Sequence, residues 1–105
     1  LKKIRLTDNQ VIHIKDSFFH HFQQKDSLWL FGSRINMQIR GGDIDLYVET
    51  HYTDSNIVIA KKTSFLAELE IRIGEQKIDI VINLLSANKN LPIYTEARTT
   101  GIKLI

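Results

Sequence analysis

"LFGSRINMQIRGGDIDLYVE", residues 30 to 49, decides the fold of this chain. An apolar run from Leu28 to Phe31 stops at Gly32-Ser33, residues 34 to 42 intervene, and the chain resumes as Asp43-Ile44-Asp45-Leu46. The run is short and wholly apolar, which predicts a buried strand. From Asp43 to Glu49, Asp, Asp, Tyr and Glu alternate with Ile, Leu and Val, the period of two that marks a second strand. Residues 34 to 42 are mixed in polarity and end in Gly41-Gly42, so they read as a loop or a short helical turn. Charges in a strand that helps build a core are costly unless something compensates them. The two acids therefore need an explanation.

Outward from this stretch the pattern is regular. Thr7, with Gln10 three residues on, forms a capping-box signature ahead of Val11, Ile14, Phe18 and Phe22, which are flanked by Ile12 and Phe19. Their spacing predicts an amphipathic helix over 8–23. After His51, Asp54 or Ser55 caps a second helix over 56–72, with Ile59, Leu66, Leu69 and Ile73 on one face, Phe65 beside them, and Gly74 as the stop. Residues 77–83 alternate around Asp79 as a third strand, and Pro92 opens a last short helix that Gly101 ends. The order helix, strand, strand, helix, strand, helix predicts an α+β domain in which helices cover a small mixed β-sheet. At 105 residues, the chain is expected to form a single domain, 1–105. No repeat, linker or low-complexity tract breaks it.

Bulk composition narrows the function classes. The chain is 43% hydrophobic and 25% charged, an ordinary globular balance, and its net charge of +2 is too small to argue for direct nucleic-acid binding. No apolar run has the length of a membrane span, and no secretory leader is read ahead of the first helix. The absence of cysteine excludes disulfides and thiolate metal sites and fits a cytoplasmic location.

Side chains two apart on a strand share a face, so Asp43 and Asp45 project together. Carboxylates that close repel and require protons, a cationic partner or a metal. Clustered carboxylate oxygens suit a hard cation such as Mg²⁺, which one or two carboxylates commonly hold together with substrate phosphates. If the third strand lies beside the second in register, Asp79 joins the pair. Three carboxylates can then hold two cations about 3.5–4 Å apart, the arrangement used for in-line phosphoryl displacement. Gly32 lets the backbone approach a phosphate closely, and Ser33 with a following turn offers hydrogen-bond donors. Arg34 and Arg40 can add charge toward a triphosphate or simply be solvated. Each feature has a plain structural reading: an Asp-x-Asp on an edge strand is often a solvated face, and Gly-Ser pairs are commonplace. The combination is what argues for chemistry. His13, His20, His21 and His51 read as surface or boundary residues, and Trp29 and the Phe stripe read as core.

Taken together, "LFGSR", the spacer, "DIDL" and the later "KIDIVI" resemble the nucleotidyltransferase domain of the DNA polymerase beta superfamily. The resemblance runs from the start of the first helix to the "EARTTGIKL" tail and is strongest toward the minimal nucleotidyltransferases, many of which are antitoxin partners of HEPN-type ribonucleases. It implies a polymerase-beta-type fold and transfer of a nucleoside monophosphate from a Mg²⁺-bound nucleoside triphosphate to a hydroxyl. Carried over, Gly32, Ser33 and Arg34 hold the phosphates. Asp43 and Asp45 bind two Mg²⁺ ions, and Asp79 binds the catalytic ion and helps deprotonate the acceptor. In related antitoxins the donor is ATP and the acceptor is a tyrosine of the toxin. The implied partner is thus a HEPN-type toxin, and a second copy of the chain, as a homo-oligomer, is a further candidate for completing the acceptor site. Two other readings stay open: nucleotidylation of a small hydroxylated compound such as an aminoglycoside, and an antitoxin that acts by binding alone.

Overall fold

The Thr7 capping box forms with both arms in place. Gln10 N–H donates to Thr7 Oγ1 at 3.1 Å, and Thr7 N–H donates to Gln10 Oε1 at 2.9 Å. This launches α1, Asp8–His21, in a computed structural model that describes residues 6–32, 43–74 and 76–105. β1, Ser27–Phe31, and β2, Ile44–Thr50, pair antiparallel, with Leu30 opposite Leu46 and Phe31 opposite Asp45. α2, Ser55–Ile73, is capped by Asp54, whose carboxylate accepts from Asn56 N–H at 2.8 Å. It ends at Gly74, where φ of +85° suits a residue without Cβ. β3, Ile78–Leu84, then pairs parallel to β2. A 3₁₀ turn over Leu85–Ala87 leads to α3, Pro92–Thr100, which starts on the proline. β4, Ile102–Lys103, closes the chain against β1.

The sheet order is β3-β2-β1-β4, with one parallel and two antiparallel pairings. The molecule is an α+β fold on a small mixed sheet, as the element pattern predicts. Alternation along the strands sorts side chains onto two faces. Leu28, Leu30, Ile44, Leu46, Val48, Ile78 and Ile80 face α1 and α2 and meet Ile14, Phe18, Phe22, Phe65 and Leu69 in the main core. The other face carries Trp29, Phe31 and Tyr47, which pack under α3 through Tyr94 and Ala97. Trp29 is thus core, as expected, but on the α3 side.

Two details differ from the sequence reading. Ile59 is 62% exposed, because Val58, Phe65 and Leu69 set the buried phase of α2 and Ile59 falls one step round the helix. Leu66 and Ile73 do pack against the core at its margin. β4 was not anticipated: two residues are too short to show alternation, and the pairing is fixed by backbone bonds such as Leu104 N–H to Leu28 O at 2.8 Å.

Candidate functional site

The mixed topology gathers chain-distant residues at one end of the sheet. β1 runs toward that end and stops at Gly32, while β2 and β3 both start there. Asp45 and Asp79 are register partners in the parallel β2–β3 pair, so both project from the face that also carries Phe31 and Tyr47. Asp43 precedes β2 by one residue and lies close enough to act on Asp45 electrostatically. Asp43 and Asp45 are half-buried, whereas Asp79 is exposed.

The charges have the expected consequence for Asp45. Burial pushes its carboxyl above the ordinary aspartate range, the neighbouring Asp79 and Asp43 push it further, and Lys77 pulls the other way. Lys77 Nζ stands 3.4 Å from Asp43 Oδ2, so this corner already holds one cationic group. Gly32 belongs to the same corner. Its φ is +77°, and a Cβ built there would run into the Asp45 carboxylate. The glycine is therefore required twice, by its backbone and by the side chain that packs over it.

Of the residues singled out from sequence, Gly32, Asp43, Asp45 and Asp79 meet at this end. Ser33, Arg34, Arg40 and the Gly41-Gly42 pair lie outside the described residues. The acids offer hard oxygen donors in surplus negative charge, which fits Mg²⁺ in kind. Among the described residues, no three carboxylate or imidazole groups form a ready-made cation cage.

Behind the acids runs a network that sequence reasoning missed. Tyr47 is fully buried on the same face. Its hydroxyl donates to Glu49 Oε2 at 2.8 Å and accepts from Asn83 Nδ2 and Arg98 Nη1, each at 3.0 Å. Arg98 also pairs with Glu49 at 3.0 Å, tying α3 to β2. Burial, reinforced by Glu49, pushes the Tyr47 phenol above its usual range against the pull of Asn83 and Arg98. The Asp45-x-Tyr47-x-Glu49 alternation was the available signal, but nothing near it in sequence announces Arg98. At the opposite end of β3 a cavity of about 270 Å³ is lined by Ser55, Ile82, Asn83, Leu84, Ala87, Lys89 and Tyr94, and it shares none of the acids.

The histidines are accounted for structurally. Glu68 bridges His20 and His21 at 2.8 and 3.0 Å, Arg72 lies 3.5 Å from His13, and His51 donates to the buried Asp26. No family model matches the chain, and no curated protein does either. Among the described residues, no helix is long and apolar enough to cross a membrane.

Proposed function

We propose that this chain is a Mg²⁺-dependent nucleotidyltransferase that moves AMP from ATP to a tyrosine hydroxyl of a HEPN-type toxin, and so acts as an antitoxin in the cytoplasm. The supporting observation is the in-register pair Asp45 and Asp79, with Asp43 beside it and Gly32 packed against Asp45. Repelling carboxylates gathered at one sheet end destabilise the protein alone, and a function that needs them is the simplest reason to keep them together.

In this reading Asp43, Asp45 and Asp79 hold the two Mg²⁺ ions, and Gly32, Ser33 and Arg34 face the phosphates, the last two assigned from sequence alone. When bound, the cations supply charge neutralisation and polarise the phosphoryl group under attack. The chain's own residues then do two things. The exposed Asp79 carboxylate accepts the proton of the acceptor hydroxyl, whose oxygen forms a bond to the α-phosphorus while the bond to pyrophosphate breaks. The Tyr47–Glu49–Arg98 network, with Asn83 of β3, ties β2 to α3 and to β3 behind the acids. AMP added to a toxin surface that binds RNA brings bulk and negative charge, which opposes that binding as phosphorylation does.

The test is incubation of the protein with labelled ATP, Mg²⁺ and a HEPN-type protein encoded beside it. The expected result is a mass increase of one or more AMP units on the partner, dependent on Mg²⁺ and lost in Asp43→Ala. If Asp43→Ala neutralises the toxin at full potency and no adduct forms with the wild type, the protein acts by binding and the catalytic reading is wrong. An adduct on an aminoglycoside but none on the protein would transfer the activity to small hydroxylated acceptors.

A further inference from the structure

α2 covers the main core with Val58, Phe65 and Leu69, yet it carries a second stripe that the described residues leave exposed. Ile57, Ala60, Ser64, Ala67 and Ile71 are all exposed, Ile57 at 44% and Ile71 at 84%. Their spacing of three and four residues places them in one line along the helix, the seam geometry of packed helix pairs. The stripe is free of charge, and its small central residues allow a close approach between backbones.

Two features say what covers it. By residue type the stripe is nearly a palindrome: Ile, Ala, Ser, Ala, Ile reads the same in either direction about Ser64, with Ala60 four residues before it and Ala67 three after. A two-fold contact, in which residue i meets j while j meets i, brings such a stripe onto chemically matching residues of its own copy. An antiparallel pairing centred on Ser64 sets Ile57 against Ile71, Ala60 against Ala67 and Ser64 against itself. The same operation acts on the flank. Lys61 and Glu68 stand on the same side of the stripe, nearly equidistant from Ser64, so each Lys61 is brought to the Glu68 of the other copy. Glu68 belongs to a cluster with Arg72 and Asp16, in which Arg72 Nε lies 3.2 Å from Glu68 Oε2 and Arg72 Nη1 lies 3.7 Å from Asp16 Oδ2. Glu68 is also bonded to His20 and His21 at 2.8 and 3.0 Å, and its partly exposed carboxylate carries the charge opposite to an incoming lysine. Lys61 itself rests 6.0 Å from the centre of the Tyr52 ring, a loose contact that it can leave.

We infer that this face of α2 docks a second copy of the chain, α2 against α2 and antiparallel. The near-palindrome and the Lys61–Glu68 match are self-complementary, and a partner of different sequence would impose neither. The acids and α3 lie on the other side of the sheet, so the dimer leaves both candidate sites open. The inference does not depend on the nucleotidyltransferase reading.

Sedimentation equilibrium of the full chain over a dilution series tests it directly. The average mass should approach twice the monomer value at high concentration, and Ile71→Asp should return it to the monomer with an unchanged circular dichroism melt. The chain has no cysteine, so Ser64→Cys is a clean reporter. At the two-fold axis it should form an intermolecular disulfide under mild air oxidation much faster than Lys62→Cys, which lies off the stripe. A chain that stays monomeric throughout, or a Ser64→Cys variant that links no faster than the control, overturns the proposal. So does a monomer whose Ile71→Asp variant loses a different protein partner, which would assign the face to that partner.

Discussion

Replacing Asp45 with asparagine should make the metal-free protein more stable. The side chain keeps its size and loses the charge that Asp79 and Asp43 oppose. Neighbouring strands lie about 4.8 Å apart, so the register partners Asp45 and Asp79 carry carboxylates separated by roughly 5 Å. At that distance two unit charges repel by about 0.8 kcal/mol in water and about 3 kcal/mol at an effective dielectric of 20. Asp79 is exposed and Lys77 offsets part of the field, which places the Asp45–Asp79 term near the lower bound, about 1 kcal/mol. The assay is urea unfolding at pH 7, low salt and with chelator present, on the wild type, Asp45→Asn, Asp79→Asn and the double variant. The double-mutant cycle should return a coupling energy of about 1 kcal/mol in the repulsive sense. High salt should shrink it, because one partner is exposed to counter-ions. The pH dependence has a definite sign. The raised Asp45 carboxyl holds its proton to higher pH in the folded state than in the unfolded chain, so stability falls as pH rises from the ordinary value of 3.8 through the folded one. Asp45→Asn should lack that fall. A clear loss of metal-free stability in Asp45→Asn, or zero coupling to Asp79, would show that the carboxylate holds the fold together and that the electrostatic reasoning is mistaken.

Gly32→Ala combines a left-handed φ with a collision against Asp45 and should cost about 1–3 kcal/mol in thermal unfolding; Asp45→Ala in the same chain should recover part of it, and a neutral Gly32→Ala would contradict the geometry. Asp26 is buried and accepts from Gln23 N–H, Thr50 Oγ1, His51 N–H and His51 Nδ1, so Asp26→Ala should lose about 3 kcal/mol or more in urea unfolding. Burial raises the Asp26 carboxyl, but those bonds outweigh it and hold the group below 3.8; its stabilisation is present above that value and is lost as pH falls through the folded pKa, a loss that Asp26→Ala should not show. Tyr47→Phe strands the buried Asn83 amide and should cost about 1–3 kcal/mol while speeding hydrogen exchange in α3; unchanged exchange there would mean that Arg98 and Glu49 suffice to hold the helix.

The elements were legible where one physical signal dominates. The Thr7–Gln10 box, the Asp54 cap, Gly74 and Pro92 each mark a boundary through backbone chemistry that does not depend on tertiary context. The helical faces were less legible. Ile57, Ile59 and Ile71 are as apolar as Val58 and Leu69, so hydrophobicity alone does not set the phase of α2, and Ile59 lies on the exposed side. At the candidate site, alternation placed Asp43 and Asp45 together from local sequence alone. Bringing Asp79 to them required knowing the strand order and register, which a single sequence suggests only through resemblance. Arg98 was invisible for the same reason: its partners Tyr47 and Glu49 lie on a strand far away in the chain.

The parallel pairing of β2 and β3 has a kinetic consequence. β1 and β2 are joined by a short connection, but β2 and β3 meet only after all of α2 has crossed between them. Contacts of long sequence separation form slowly, because the loop entropy is spent before the contact returns anything. Asp45 is therefore expected to meet Asp79 late in folding, with the acids only partly assembled in the transition state. An ion held by all three acids grips the finished chain and has little to hold in the transition state. Such an ion should slow unfolding while leaving the refolding rate nearly unchanged.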